Sequence, residues 1–223
     1  MEDNSSTNNF FLNIKKTINN NLKLIVIILS VLFLLFLLLQ TYNYFIKQST
    51  LKNSISFYKA ISIDREDESN KILSVLNNSN DFYAILSQLE IIDKNIKNKN
   101  YELVNELYKN LLNDNNLENI YKTAIASVAA YNFINIQLIN PSTNYIDDIN
   151  NYIEIIDDEL LNYNGIKLEL KFLKIITEVE NNNIQYNNYN QAIELYDIIM
   201  SNENVSSIIK ERVNKIHEYQ LYK

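Results

Sequence analysis

Cysteine is absent from the 223 residues, and glycine and proline occur once each, at Gly165 and Pro141. Without thiols there is no disulfide framework, no thiol nucleophile and no thiolate metal site. Ordinary chains use about 7% glycine and 5% proline. Phosphate-cradling loops, dinucleotide-binding turns and tight β-hairpins all draw on glycine for their backbone geometry. None of these can be built around a single glycine, so the chain is predicted to be all-α. Histidine is equally scarce. His217 stands alone on the final predicted helix, with no second histidine, cysteine or serine–aspartate arrangement beside it, which points to a structural role rather than catalysis.

Charge is also missing from one long stretch. Between Lys23 and Lys47 lie 23 uncharged residues, including the apolar run from Leu24 to Leu39. At about 1.5 Å per helical residue this spans roughly 34 Å, enough to cross a bilayer core of about 30 Å. A cleaved signal would have a shorter apolar core followed by small residues. Here the run is followed by Tyr42, Tyr44 and Phe45, which suit a membrane–water interface. The expectation is an N-terminal tail over 1–23, an uncleaved transmembrane helix over 24–46 and a helical domain over 47–223. Lys15, Lys16 and Lys23 on one side balance Lys47, Lys52 and Lys59 on the other, so charge alone does not orient the span.

Residues 48–223 hold 16 Lys and Arg against 25 Asp and Glu, a net charge of −9. Such a domain repels phosphate backbones, which argues against nucleic-acid binding, and it is expected to keep off an anionic leaflet. Asn and Ile together make up about a third of the chain, a bias of the kind an AT-rich genome leaves. The acidic groups at Asp64 to Glu68, Asp147–Asp148 and Asp157 to Glu159 lack the glycine turn of a calcium loop, and they read as solvated faces and helix N-terminal turns. No catalytic set, metal site or cofactor site is read from the sequence, and the chain is not expected to be an enzyme.

Apolar residues recur at helical spacing through the rest of the chain. The membrane helix is expected to continue to about Ile63. Further helices are expected over Glu66–Leu76, from Phe82 to Ile96 and over Leu117–Ile139. Loops fall at Asn98–Asn100, Asn113–Asn116, Asn140–Asn144, Tyr163–Gly165 and Asn181–Asn188. Tyr101 to Leu112 aligns without gaps to Tyr189 to Met200 at an offset of 88. The shared pattern places Tyr101, Val104, Leu107 and Tyr108 against Tyr189, Ala192, Leu195 and Tyr196. Half of that offset lands on Tyr145, Tyr152, Ile155 and Ile156, a weaker third copy. There Asp148 replaces Val104 and Ala192, an exchange that would shift the register. Such a period, with two helices per unit, points to an α-solenoid. The repeat tyrosines are expected in its core, while Tyr121, Tyr131 and Tyr163 are candidates for lining a groove that takes extended peptide.

Asn100–Tyr108 and Asn188–Tyr196 resemble the second half of a tetratricopeptide repeat, with Asn where that motif has Gly-Asp. The order of one membrane helix, Phe82–Glu90, the Tyr101 repeat, Asn164–Leu173 and Val205–Val213 is similar to the bacterial membrane-anchored tetratricopeptide-like family of ancillary Sec-translocon subunits. This resemblance implies a single-pass inner-membrane protein with a cytoplasmic N-terminus and a periplasmic repeat domain. It also implies protein partners: translocon subunits, periplasmic chaperones or secreted chains. The alternative is a structural envelope protein that self-assembles into homo-oligomers without binding clients.

Overall fold

The structure, a computed structural model, describes residues 21–79, 81–160, 163–182 and 187–222. Every regular element among them is a helix. They fall into two units, one ending at Ser87 and the other beginning at Gln88.

In the first unit the apolar run lies within a helix, α1 (Leu22–Ser62), which continues well beyond Lys47. From Val26 to Lys52 every residue is exposed, and the first buried residue of α1 is Ala60. The hydroxyls of Ser30 and Thr41 donate to the carbonyls of Val26 and Leu37, both at 2.8 Å. A hydroxyl satisfied one turn back on its own helix needs no water, which suits an apolar surround. Past the turn at Ile63, α2 (Glu66–Asn77) begins with Glu66, Asp67 and Glu68 in its first turn, where the helix dipole favours carboxylates. It packs back on the end of α1. Ala60, Leu73 and Leu76 are buried, and Ser69 Oγ donates to the Ala60 carbonyl at 2.7 Å.

The helix α3 (Phe82–Lys97) carries the chain into the second unit. It ends in a left-handed cap. Lys99 has φ 60°, its N–H bonds the Ile96 carbonyl, and the Asn100 N–H bonds the Asn95 carbonyl. This is the Schellman arrangement, with lysine at the position where glycine is the usual residue. Then follow α4 (Tyr101–Leu112), α5 (Asn119–Ile139), α6 (Ile146–Ile155), α7 (Tyr163–Asn182), α8 (Asn187–Ser201) and α9 (Ser207–Leu221). The helix α5 packs on α4, α6 and α7, and α7 packs on α6, α8 and α9. Phe172, Ile176, Ala192, Ile199, Val205, Ile209 and Val213 close the C-terminal core.

Equivalent turns recur along this unit. The helices α5, α7 and α9 begin at Asn119, Tyr163 and Ser207, each 44 residues after the last. Before each, a side-chain carboxylate or amide oxygen accepts a backbone N–H two residues on: Asp114 from Asn116, Asp157 from Glu159, and Asn202 from Asn204. These Asx turns reverse the chain without glycine.

Two expected loops differ in the structure. Tyr163–Gly165 is the first turn of α7 rather than a loop, and Gly165 is buried there. A Cβ on Gly165 would meet Ile209 Cδ1 at 3.2 Å and Val205 Cγ1 at 3.4 Å. The glycine therefore serves the close approach of α9 and not a turn. The break at Asn181–Asn188 is narrower than expected, because α7 runs through Asn182 and α8 starts at Asn187; residues 183–186 and the N-terminal tail through Asn20 lie outside the described residues. Gly165→Leu is expected to overpack this contact and cost about 1–3 kcal/mol, seen as a lower urea midpoint with little change in helix content.

Candidate functional site

The side chains of the second unit offer two polar assemblies and one exposed apolar strip. The first assembly ties α4 to α5 and α6. Tyr108, Phe133, Tyr145 and Tyr152 form a ring cluster, with centroids 5.0 Å apart for Phe133–Tyr145, 5.7 Å for Phe133–Tyr152 and 6.0 Å for Tyr108–Tyr152. All four side chains are buried. Each phenol oxygen has a partner. Asn132 Nδ2 donates to the Tyr108 oxygen at 2.8 Å, Tyr152 donates to Asn105 Oδ1 at 2.5 Å, and Tyr145 donates to Glu102 Oε1 at 3.0 Å. Burial disfavours the phenolate, so Tyr108 and Tyr145 are each pushed up to about 12, and the Glu102 carboxylate adds to the rise at Tyr145.

Asp148, the residue that breaks the repeat pattern, belongs to this assembly. It accepts from Asn105 Nδ2 at 2.9 Å and pairs with Lys109 Nζ at 2.6 Å. Around it Ile149, Tyr152, Ile153 and Ile156 are buried, whereas α4 buries Val104, Asn105, Tyr108, Leu111 and Leu112. The buried stripe of α6 is thus rotated relative to that of α4, as the exchange at Asp148 indicated.

The second assembly crosses three helices. Glu169 of α7 is 1% exposed. It receives Arg212 Nε on Oε1 at 2.8 Å, Arg212 Nη2 on Oε2 at 2.6 Å and the Tyr131 hydroxyl on Oε2 at 2.7 Å. A buried carboxylate without partners costs several kcal/mol, and a bidentate guanidinium with a third donor offsets that cost. The same bonds hold the Arg212 guanidinium above its ordinary value, and burial followed by the Glu169 bond pushes the Tyr131 phenol well up.

The exposed strip runs along α5. Ten of this helix's residues are buried, yet Tyr121, Val128 and Leu138 remain 39%, 49% and 42% exposed. Ala124 and Tyr131 complete the same face, at the i, i+3, i+7, i+10 spacing of one helix side.

The predicted site residues are distributed among these features. Val104, Tyr108 and Ala192 are buried, and Tyr101, Leu107, Leu195 and Tyr196 are half-buried. The side chain of Tyr189 lies outside the described residues. Tyr121 and Tyr131 share the α5 strip, although the Tyr131 hydroxyl is committed to Glu169, and Tyr163 opens α7 half-buried. Tyr196 stacks on His217 with centroids 4.1 Å apart and donates to Asn214 Oδ1 at 2.7 Å, which gives the single histidine a packing role. Glu169, Arg212 and Asn105 were not singled out from the sequence. A signal existed for Glu169, which falls at helical spacing with Gly165, Phe172 and Ile176 as the one acid on a buried face.

Comparison with models of known families, with curated proteins and with solved structures returns no match.

Arg212→Ala leaves the Glu169 carboxylate enclosed with a single neutral donor. Because Arg212 is itself half-exposed, the expected loss is about 2–3 kcal/mol, below that for fully enclosed pairs. Arg212→Lys, which keeps the charge but not the bidentate geometry, should recover part of it in urea unfolding. A second expectation concerns alkaline pH. Phenols raised from 10 to about 12 in the fold contribute stability that is complete below pH 10 and lost as pH rises towards 12. The urea midpoint should therefore hold steady to about pH 9 and fall above it, and Tyr108→Phe should make that fall shallower.

Proposed function

We infer that this chain is a membrane-tethered protein-interaction scaffold, an α-solenoid of helix pairs held at a bilayer by α1. The observation that carries this reading is the long exposed apolar surface of α1. From Val26 to Leu39 each residue is exposed, and no other described helix is long and apolar enough to cross a membrane. In water such a surface is far larger than a monomer normally exposes, and a bilayer satisfies it.

The recurrence of helix starts at 44-residue intervals, each behind the same Asx turn, supports the repeat reading. Support for protein binding comes from the α5 strip, where aromatic and aliphatic side chains stay exposed on a helix otherwise buried. The arrangement of the second unit offers contact surface rather than chemistry, and the chain is proposed to be non-catalytic. Placement of the repeat domain in a bacterial periplasm beside the Sec translocon, handing secreted chains to chaperones, extends the proposal through the family resemblance.

A reporter active only outside the cytoplasm, fused after Lys223, tests the orientation, and crosslinking in intact cells tests the partners. An exported C-terminus with translocon subunits or chaperones among the crosslinked proteins is the expected result. A cytoplasmic C-terminus would overturn the periplasmic placement, and failure to resist alkaline extraction would overturn the tether itself.

A further inference from the structure

Beyond the bilayer α1 does not stop; it projects 16 more residues, Lys47 to Ser62, as one continuous helix. One side of this projection is in use. Asn53 Nδ2 donates to Asp81 Oδ2 at 2.7 Å, the Phe57 ring lies 6.0 Å from that of Tyr83, and Ala60 is fully buried. The other side carries Leu51, Ile55 and Tyr58, which are 56%, 62% and 62% exposed. With Gln48 before them and Ser62 after, these residues follow a three–four–three–four spacing, the 3.5-residue period of a coiled-coil seam.

Charge beside the seam has one sign. Lys47, Lys52 and Lys59 are exposed, none has an acidic partner among the described residues, and Lys47 to Ser62 contains no Asp or Glu. The chain as a whole is at −7 and residues 48–223 at −9, so this local +3 is a reversal. Distance keeps most of the seam away from lipid. If Lys47 sits at the edge of the hydrocarbon, Leu51 stands about 6 Å beyond it and Tyr58 about 16 Å, whereas a headgroup layer is only about 5–8 Å deep. Self-pairing is disfavoured as well. Two identical helices anchored in one membrane run parallel, and a parallel seam sets Lys47 of one copy against Lys52 of the other.

We propose that the Leu51–Ile55–Tyr58 face of α1 pairs in parallel with the membrane-proximal helix of a different single-span protein, one with an apolar seam flanked by Asp or Glu. The proposal rests on the membrane tether inferred above and adds the chemistry of a partner beside it. Apolar contact along the seam supplies affinity, and the lysines select the acid-flanked partner over a second copy.

The test uses the full chain carrying Ile55→Cys, which introduces its sole cysteine, in vesicles of uncharged phosphatidylcholine. Two synthetic probes are compared, each a membrane span followed by two heptads with leucine on the seam and one cysteine. One is flanked by glutamate and the other by lysine. An alkaline wash of the same vesicles checks that the chain stays anchored; a chain that leaves refutes the tether, and one that stays makes the probes a test of the seam alone. Oxidation is expected to give roughly ten times more mixed disulfide with the glutamate probe, from about three favourable flanking pairs. High salt should shrink that ratio. The exposed changes Lys47→Glu, Lys52→Glu and Lys59→Glu together should invert it without altering helix content. Equal yields from the two probes would overturn the proposal. So would homodisulfide that dominates in their presence, which would assign the face to a second copy. Loss of discrimination on adding phosphatidylglycerol would assign the lysines to lipid headgroups and overturn it too.

Discussion

The second unit depends on α5 being dry on almost every side. A helix that packs on three neighbours has room for only one solvent-facing strip, and the interior composition follows from that. Ala126, Ala129 and Ala130 are fully buried, and their short side chains let α4, α6 and α7 approach together. Phe133 fills the larger gap among the tyrosines. The polar residues that remain inside are satisfied locally. Ser127 donates to the Thr123 carbonyl at 2.8 Å, and Gln137 Oε1 accepts the Tyr145 N–H at 2.6 Å. That second bond fixes where the chain re-enters helix after Asn140–Asn144, so α5 also sets the start of α6.

Around this axis, buried polar groups define register more than they supply net stability. An apolar seam between helices tolerates sliding by a turn, but a carboxylate that needs three donors does not. Glu169 meets its donors only when Tyr131 on α5 and Arg212 on α9 stand at one level of α7. Asn105 is held in the same way, donating to Asp148 while accepting from Tyr152. The first assembly pins α4 against α5 and α6, the second pins α7 against α5 and α9, and apolar packing of Phe172 with Ile199 and Val213 closes the C-terminal end.

The helical class was legible because one glycine and one proline leave few other choices, and because asparagine clusters mark most of the ends. Where reading failed, a residue had two physical uses. Gly165 invites a turn, but its missing Cβ serves contact with Val205 and Ile209 inside a helix. Lys99 adopts the left-handed cap that glycine would ordinarily occupy, a choice no propensity argument favours. Asp148 was recognised as a misfit, while the pairing with Asn105 and Lys109 that uses it depends on residues about 40 positions away. Glu169 looks like one more surface acid until the buried face of α7 is traced through Gly165, Phe172 and Ile176. Tyr131 lies on the same face of α5 as Tyr121, yet it is half-buried and its hydroxyl is spent inward on Glu169, which only tertiary contact reveals.

Continuity of α1 has a mechanical meaning. Its 41 residues contain neither glycine nor proline, so nothing in the backbone acts as a hinge between the exposed apolar half and the end that grips α2. A rod of this kind converts tilt into displacement. A lean of about 10° would move Ser62 sideways by about 4 Å relative to Lys47, given roughly 22 Å of helix between them. The bonds from Ala60 to Ser69 and from Asn53 to Asp81 carry that motion into α2 and the start of α3. Under the proposed tether, a change in membrane thickness that reoriented the span would be felt at a distance from the lipid, as leverage.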